Sequence, residues 1–114
     1  MSFNGKCLIP GAQLELYRVN ILSPEFKFLF CRSYESISAA GYSVRRENYK
    51  IMFRELLPAY ETLDDLYIHL CNYYECGLLE HRICVSDVMV IKDDKTCAFY
   101  VDSNGFVDVT DIFE

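Results

Sequence analysis

The sequence predicts an α+β domain of two layers, an antiparallel sheet packed on one main helix. Three observations carry that reading. The stretch from Ile83 to Val109 divides into three pieces rich in β-branched and aromatic residues, Ile83–Ile91, Thr96–Val101 and Phe106–Val109. Such residues fit a pleated, half-buried surface and give a three-stranded meander. Lys92-Asp93-Asp94-Lys95 and Asp102-Ser103-Asn104-Gly105 separate the pieces, and Asn-Gly tolerates the positive φ of a tight hairpin. Between residues 62 and 76 the apolar side chains recur at helical spacing instead.

N-terminal strands complete the sheet. Gln13–Val19 alternates, with Leu14, Leu16 and Arg18 on one face and Glu15, Tyr17 and Val19 on the other. Phe26–Cys31 reads as a second strand after the turn signal Ser23-Pro24, with a helix the alternative for so short an apolar run. Residues 32–48 are small and polar with Gly41 inside, and read as a loop with room for one helical turn around Glu35–Ala40. Loops of this length are usually functional or mobile. Arg45-Arg46 at its end is the chain's paired basic site, and the simplest account is a solvated charge pair. Tyr49–Leu56 resumes alternation, Tyr49, Ile51 and Phe53 opposite Lys50, Met52 and Arg54. Pro58 then stops regular pairing because it brings no N–H.

The helix is the clearest element. Leu63, Leu66, Tyr67, Leu70, Cys71 and Tyr74 form one apolar stripe. Thr62 is placed to cap it, with Asp65 able to close a capping box and Asp64 at the positive end of the dipole. Gly77 supplies the left-handed residue that ends such helices. Tyr73 projects off the stripe that holds Tyr74, so one of the two is expected at the surface.

A chain of 114 residues is one domain, here residues 1–114, and is 52% hydrophobic, too apolar for a disordered tail. No run approaches the roughly 18 apolar residues that span a bilayer. The N-terminus lacks the charged-then-apolar pattern of a secretory signal, so a cytoplasmic setting is expected. Cys7, Cys31, Cys71, Cys76, Cys84 and Cys97 are then expected as thiols in a reducing compartment. The charge is uneven. Residues 1–50 hold seven basic residues against four acidic, and residues 51–114 hold four against thirteen, +3 and −9. Phosphate backbones bind clustered Lys and Arg, so an acidic half favours basic protein partners.

Catalytic and metal-binding readings are weaker. His69, Cys71, Cys76, His81 and Cys84 are the metal-like cluster, but His69 and Cys71 diverge on a helix and no cysteine pair has the two-residue gap of a zinc knuckle. Cys84 with His81 and Asp87 has the residue types of a nucleophilic site, with no strained or Gly-flanked turn to frame them. Asp87, Asp102, Asp108 and Asp111 could gather Mg²⁺, but alternation puts Asp87 inside a strand and the others at turns or strand ends. No metal and no cofactor is expected. Nine tyrosines exceed the needs of one small core, and Tyr is enriched where proteins meet.

The stretch Ile83-Cys-Val-Ser-Asp-Val-Met-Val-Ile91, followed by Phe99-Tyr-Val-Asp-Ser-Asn-Gly-Phe106, resembles the YodL-like and related small domains of bacterial plasmids, conjugative elements and phages. Those domains pair an apolar-Ser-Asp-Val strand with a Tyr-Val-Asp-Ser-x-Gly-Phe hairpin. The Leu63–Glu75 helix and the strand around Leu14–Arg18 are also similar, whereas residues 20–48 have no counterpart. Leu79-Glu-His-Arg82 stands where the family has a run of small residues. The resemblance brings no active site with it. It implies an accessory gene of mobile DNA, beside anti-restriction genes, in a setting where small acidic proteins inhibit host defence nucleases, anti-CRISPR proteins included.

The expectation is therefore a non-catalytic protein that inhibits a bacterial defence nuclease by occupying its basic nucleic-acid channel. Its expected contacts are Asp64, Asp65, Glu75, Asp93, Asp94 and Asp102, with Tyr73 as aromatic anchor. Direct binding of nucleic acid or membrane is not expected. The alternatives are a cytosolic enzyme or metal-dependent nuclease using Cys84 and His81 or the aspartates, and a module that self-assembles through an open sheet edge; the oligomeric state stays open.

Overall fold

Among the described residues, five strands and two α-helices organise the fold: β1 (Gln13–Val19), α1 (Tyr34–Ala39), β2 (Tyr49–Leu56), α2 (Leu63–Glu75), β3 (Val88–Lys92), β4 (Thr96–Asp102) and β5 (Gly105–Asp108). They are seen in a computed structural model that describes residues 12–20, 22, 29–56, 62–77, 82–92, 96–103 and 105–113. All strand pairs are antiparallel in one sheet of order β2-β1-β3-β4-β5. The C-terminal meander is present as expected, and β1 docks along its open side, with β2 at the far edge.

Helix α2 begins where Thr62 Oγ1 accepts the Asp65 N–H at 3.0 Å and is followed by Gly77 at φ +81°. Leu63, Leu66 and Leu70 are each at most 1% exposed. A capping bond is worth about 1 kcal/mol, while burying one Leu is worth about 1.5–3 kcal/mol. Packing on the sheet, more than the cap, holds the helix. Its stripe meets Leu14, Leu16, Met89, Ile91, Phe99 and Val101 on one sheet face.

The opposite face is also a core. Tyr17, Val19, Tyr49, Val88, Val90, Ala98 and Tyr100 are buried there beneath Leu29, Ile37, Val44 and Phe113. The segment 32–48 that reads as a loop, together with Leu29 before it, thus covers the second face. It contains α1, capped by Ser33, whose hydroxyl accepts the Ser36 N–H at 3.1 Å. Phe113 wedges between Tyr17 and Tyr49, edge-on to each at 5.3 Å.

Four expectations change. Of the proposed strand Phe26–Cys31, residues 26–28 lie outside the described residues, and Leu29–Cys31 is a tight turn with Cys31 at φ +64°. The first meander strand starts at Val88, not Ile83, because Ser86 adopts φ +85° and breaks the extended run. Strict alternation fails in β2, where Leu16 pairs with Phe53 but Tyr17 pairs with Ile51. Met52 is the additional residue of a bulge, and it moves Phe53 to the face that carries α2, while Ile51 packs on the other. Finally, neither Tyr73 nor Tyr74 is exposed. Tyr73 meets Phe53 edge-on at 5.9 Å, and the Arg82 guanidinium covers Tyr74 at 5.0 Å.

Candidate interaction site

The sheet presents α2 outward, and the helix period divides its surface. Leu63, Leu66 and Leu70 face inward, so Asp64, Ile68, Asn72 and Glu75 form the opposite stripe, and all four are exposed. Asp64 and Glu75 are eleven positions apart, about 16 Å along the helix axis. Asp65 flanks the stripe and shares a shallow depression of about 250 Å³ with Ile68, His69 and Asn72. Ile68 is 58% exposed, an apolar side chain set within this otherwise polar stripe. Sequence reasoning overlooked it, although its offset from the core stripe places it on the outer face.

The β4–β5 turn approaches the N-terminal end of this stripe. Asp64, Tyr67, Val85, Val101, Asp102 and Phe106 line a pocket of about 270 Å³. Tyr67 and Phe106 meet edge-on at 6.3 Å and form its aromatic wall. Burial raises the pKa of the Tyr67 phenol, with Cys71 adding to the shift, so the hydroxyl stays protonated and can donate. Asp102 is held in place by the turn, its Oδ1 accepting the Tyr34 N–H at 3.1 Å and the Ser103 N–H at 2.8 Å. Among the described residues neither Asp64 nor Asp102 is paired with a cation.

The structure therefore brings Asp64 and Asp102 to one pocket from distant parts of the chain and keeps Asp65 and Glu75 on the same helix surface. Glu75 also approaches Arg82 at 3.6 Å, both side chains well exposed. Tyr73 stands apart, on the flank of α2 that packs against β2, its ring 4.0 Å from that of His69. His69 Nε2 in turn lies 3.3 Å from Glu55 Oε2. Asp93 and Asp94 lie outside the described residues.

The residues of the catalytic alternative have other occupations. Asp87 precedes β3 instead of lying within it, is fully buried, and is bound by Arg18 through Nε at 3.1 Å and Nη2 at 3.0 Å. Its Oδ2 also accepts the Cys84 N–H at 2.8 Å. Burial pushes the Cys84 thiol up in spite of the nearby Arg18, the opposite of the lowered value that activates a nucleophilic cysteine. Asp108 accepts the Thr110 N–H at 2.9 Å and its hydroxyl at 2.6 Å, closing the turn after β5. His81 lies outside the described residues. No group of three or more His, Cys, Asp or Glu among the described residues is arranged to hold a metal ion, and no helix among them is long and apolar enough to cross a membrane.

A second acidic centre went unnoticed in the sequence. Glu15 is 2% exposed, and its carboxylate accepts the Tyr17 hydroxyl at 2.8 Å, Arg54 Nε at 3.1 Å and Lys92 Nζ at 3.2 Å. Three donors from three strands satisfy it, so it serves the sheet and is not available to a ligand.

Compared with known protein families, residues 15–112 match the model of the YodL-like domain. No match is found among curated proteins or among solved structures.

Proposed function

The chain belongs to the YodL-like domain family, and from that premise we propose that it is an interaction protein of mobile bacterial DNA that binds and inhibits a host defence nuclease. It acts in the cytoplasm of the bacterial host, without chemistry of its own. One observation carries the reading: Asp64 and Asp102 rim an aromatic-walled pocket at the head of the exposed stripe that ends at Glu75.

A guanidinium or ammonium group suits such a pocket. Two carboxylates offer charge-assisted hydrogen bonds, and the faces of Tyr67 and Phe106 offer cation–π contact. Ile68 adds apolar area along the stripe, and Asp65 and Glu75 extend its negative charge. Nucleases hold their substrates with Lys and Arg set at phosphate positions. A rigid acidic surface competes for those same cations, and the −9 balance of residues 51–114 favours the encounter.

The test is affinity capture from a nuclease-treated bacterial lysate, with cleavage assays on what is captured. Asp64→Lys combined with Asp102→Asn changes the charge while leaving position 102 an acceptor for the Tyr34 N–H. The reading expects the wild-type chain to retain and inhibit a basic nuclease, and the variant to lose both effects. Equal retention by the variant, or capture without inhibition of any nuclease, overturns it.

A further inference from the structure

Cys31 and Cys84 are 53 positions apart in the chain but hang on one rigid node. The Cys31 N–H donates to Ser86 Oγ at 2.9 Å, and the Cys84 N–H donates to Asp87 Oδ2 at 2.8 Å. Cys84 Sγ reaches the Arg82 carbonyl at 3.3 Å, the same oxygen that accepts from Arg18. Cys31 and Ser86 both adopt positive φ, +64° and +85°, a costly conformation that persists only where its surroundings impose it. Ser86, which accepts from Cys31, lies two residues from Cys84, and the Asp87 N–H donates to the Cys84 carbonyl at 3.1 Å, so the two cysteines are neighbours at this node. Cys31 is exposed and Cys84 half-buried.

We propose that Cys31 and Cys84 form a redox-labile thiol pair, a modification site that a small-molecule disulfide converts into a 31–84 cross-link. Cys31, the accessible sulfur, releases its proton to water and attacks one sulfur of the small disulfide. A new S–S bond forms, the original one breaks, and one small thiolate leaves. Cys84 then loses its proton and attacks the Cys31 sulfur, so that the protein disulfide forms and the second small thiolate departs. The two cysteines give up two electrons and two protons, and the small disulfide becomes two thiols. Cys84 is half-buried and less accessible to the small disulfide, which leaves the first attack to the exposed Cys31.

The cross-link would tie the segment covering the second sheet face to the loop before β3, closing a long loop of the unfolded chain. It would leave the acidic stripe of α2 untouched, so this inference and the nuclease reading fail independently.

The experiment treats the full chain with oxidised glutathione at about pH 8, where thiolate is appreciably populated, then alkylates and digests it with trypsin. The expected product is a monomer in which residues 28–32 are joined to residues 83–92. Its thermal midpoint rises by several degrees and returns on reduction. Cys84→Ser retains glutathione on Cys31 as a stable mixed disulfide, and Cys31→Ser forms neither product. A wild-type chain that stays fully alkylatable, keeps glutathione on Cys31, links another cysteine pair or forms disulfide dimers overturns the proposal.

Discussion

Arg18 grips Asp87 across 69 positions of chain, its Nε and Nη2 atoms meeting the two carboxylate oxygens at 3.1 and 3.0 Å. The aspartate side chain is completely buried and the arginine is 13% exposed. The pair fixes the loop before β3 to the end of β1, and through the Cys84 N–H it shapes the turn in which Ser86 takes positive φ. Removing one partner strands the other in a poorly solvated site. Asp87→Ala should therefore lower the unfolding free energy by about 3–5 kcal/mol in urea titration. A loss below about 1 kcal/mol, the worth of an exposed ion pair, would contradict this account.

Glu15 sets a dependence on pH. Burial raises its carboxyl, but the Tyr17 hydroxyl, Lys92 and Arg54 together outweigh that and hold it below the ordinary value. A group depressed in the folded state stabilises above its unfolded value and loses that contribution as pH falls through the folded one. Stability should thus decline as pH drops below about 4.3, the value of an unfolded glutamate. Glu15→Gln should be less stable at neutral pH and show a shallower acid decline in urea midpoints. Parallel profiles for the two proteins would refute the assignment.

The bulge at Met52 brings Phe53 to Tyr73, edge-on at 5.9 Å. Aromatic pairs in this geometry couple by about 0.5–1.5 kcal/mol beyond the area they bury. A double-mutant cycle with Phe53→Leu and Tyr73→Leu should recover a coupling of that size in stability. Additive losses would mean that the rings are neighbours without partnership, and would return Tyr73 to consideration as a partner anchor.

Legibility in the sequence followed the range of the interactions. Helix α2 was legible almost to the residue because its cap, stripe and terminal glycine are local signals. Strands β1, β4 and β5 were legible through alternation and turn chemistry. The start of β3 was not, since Ile83-Cys-Val-Ser-Asp has strand-like composition and only the distant Arg18 turns Asp87 inward. The bulge was hidden because Ile51, Met52 and Phe53 are apolar on both sides of the shift. The second core was hidden by the small, polar residues that carry Ile37 and Val44 over the sheet. At the candidate site, the charges of Asp64 and Asp102 were legible, but their meeting depends on how the β4–β5 turn approaches α2.

The central claim is that an acidic, rigid surface engages a basic partner, and the salt dependence of that affinity tests it most directly. Binding to the captured nuclease would be measured from about 50 to 300 mM salt, a range over which exposed charges become screened. The account predicts a steep loss of affinity for the wild-type chain, and weaker binding with a shallower slope for Asp64→Lys combined with Glu75→Lys. Affinity indifferent to salt, or unchanged in that variant, would contradict it.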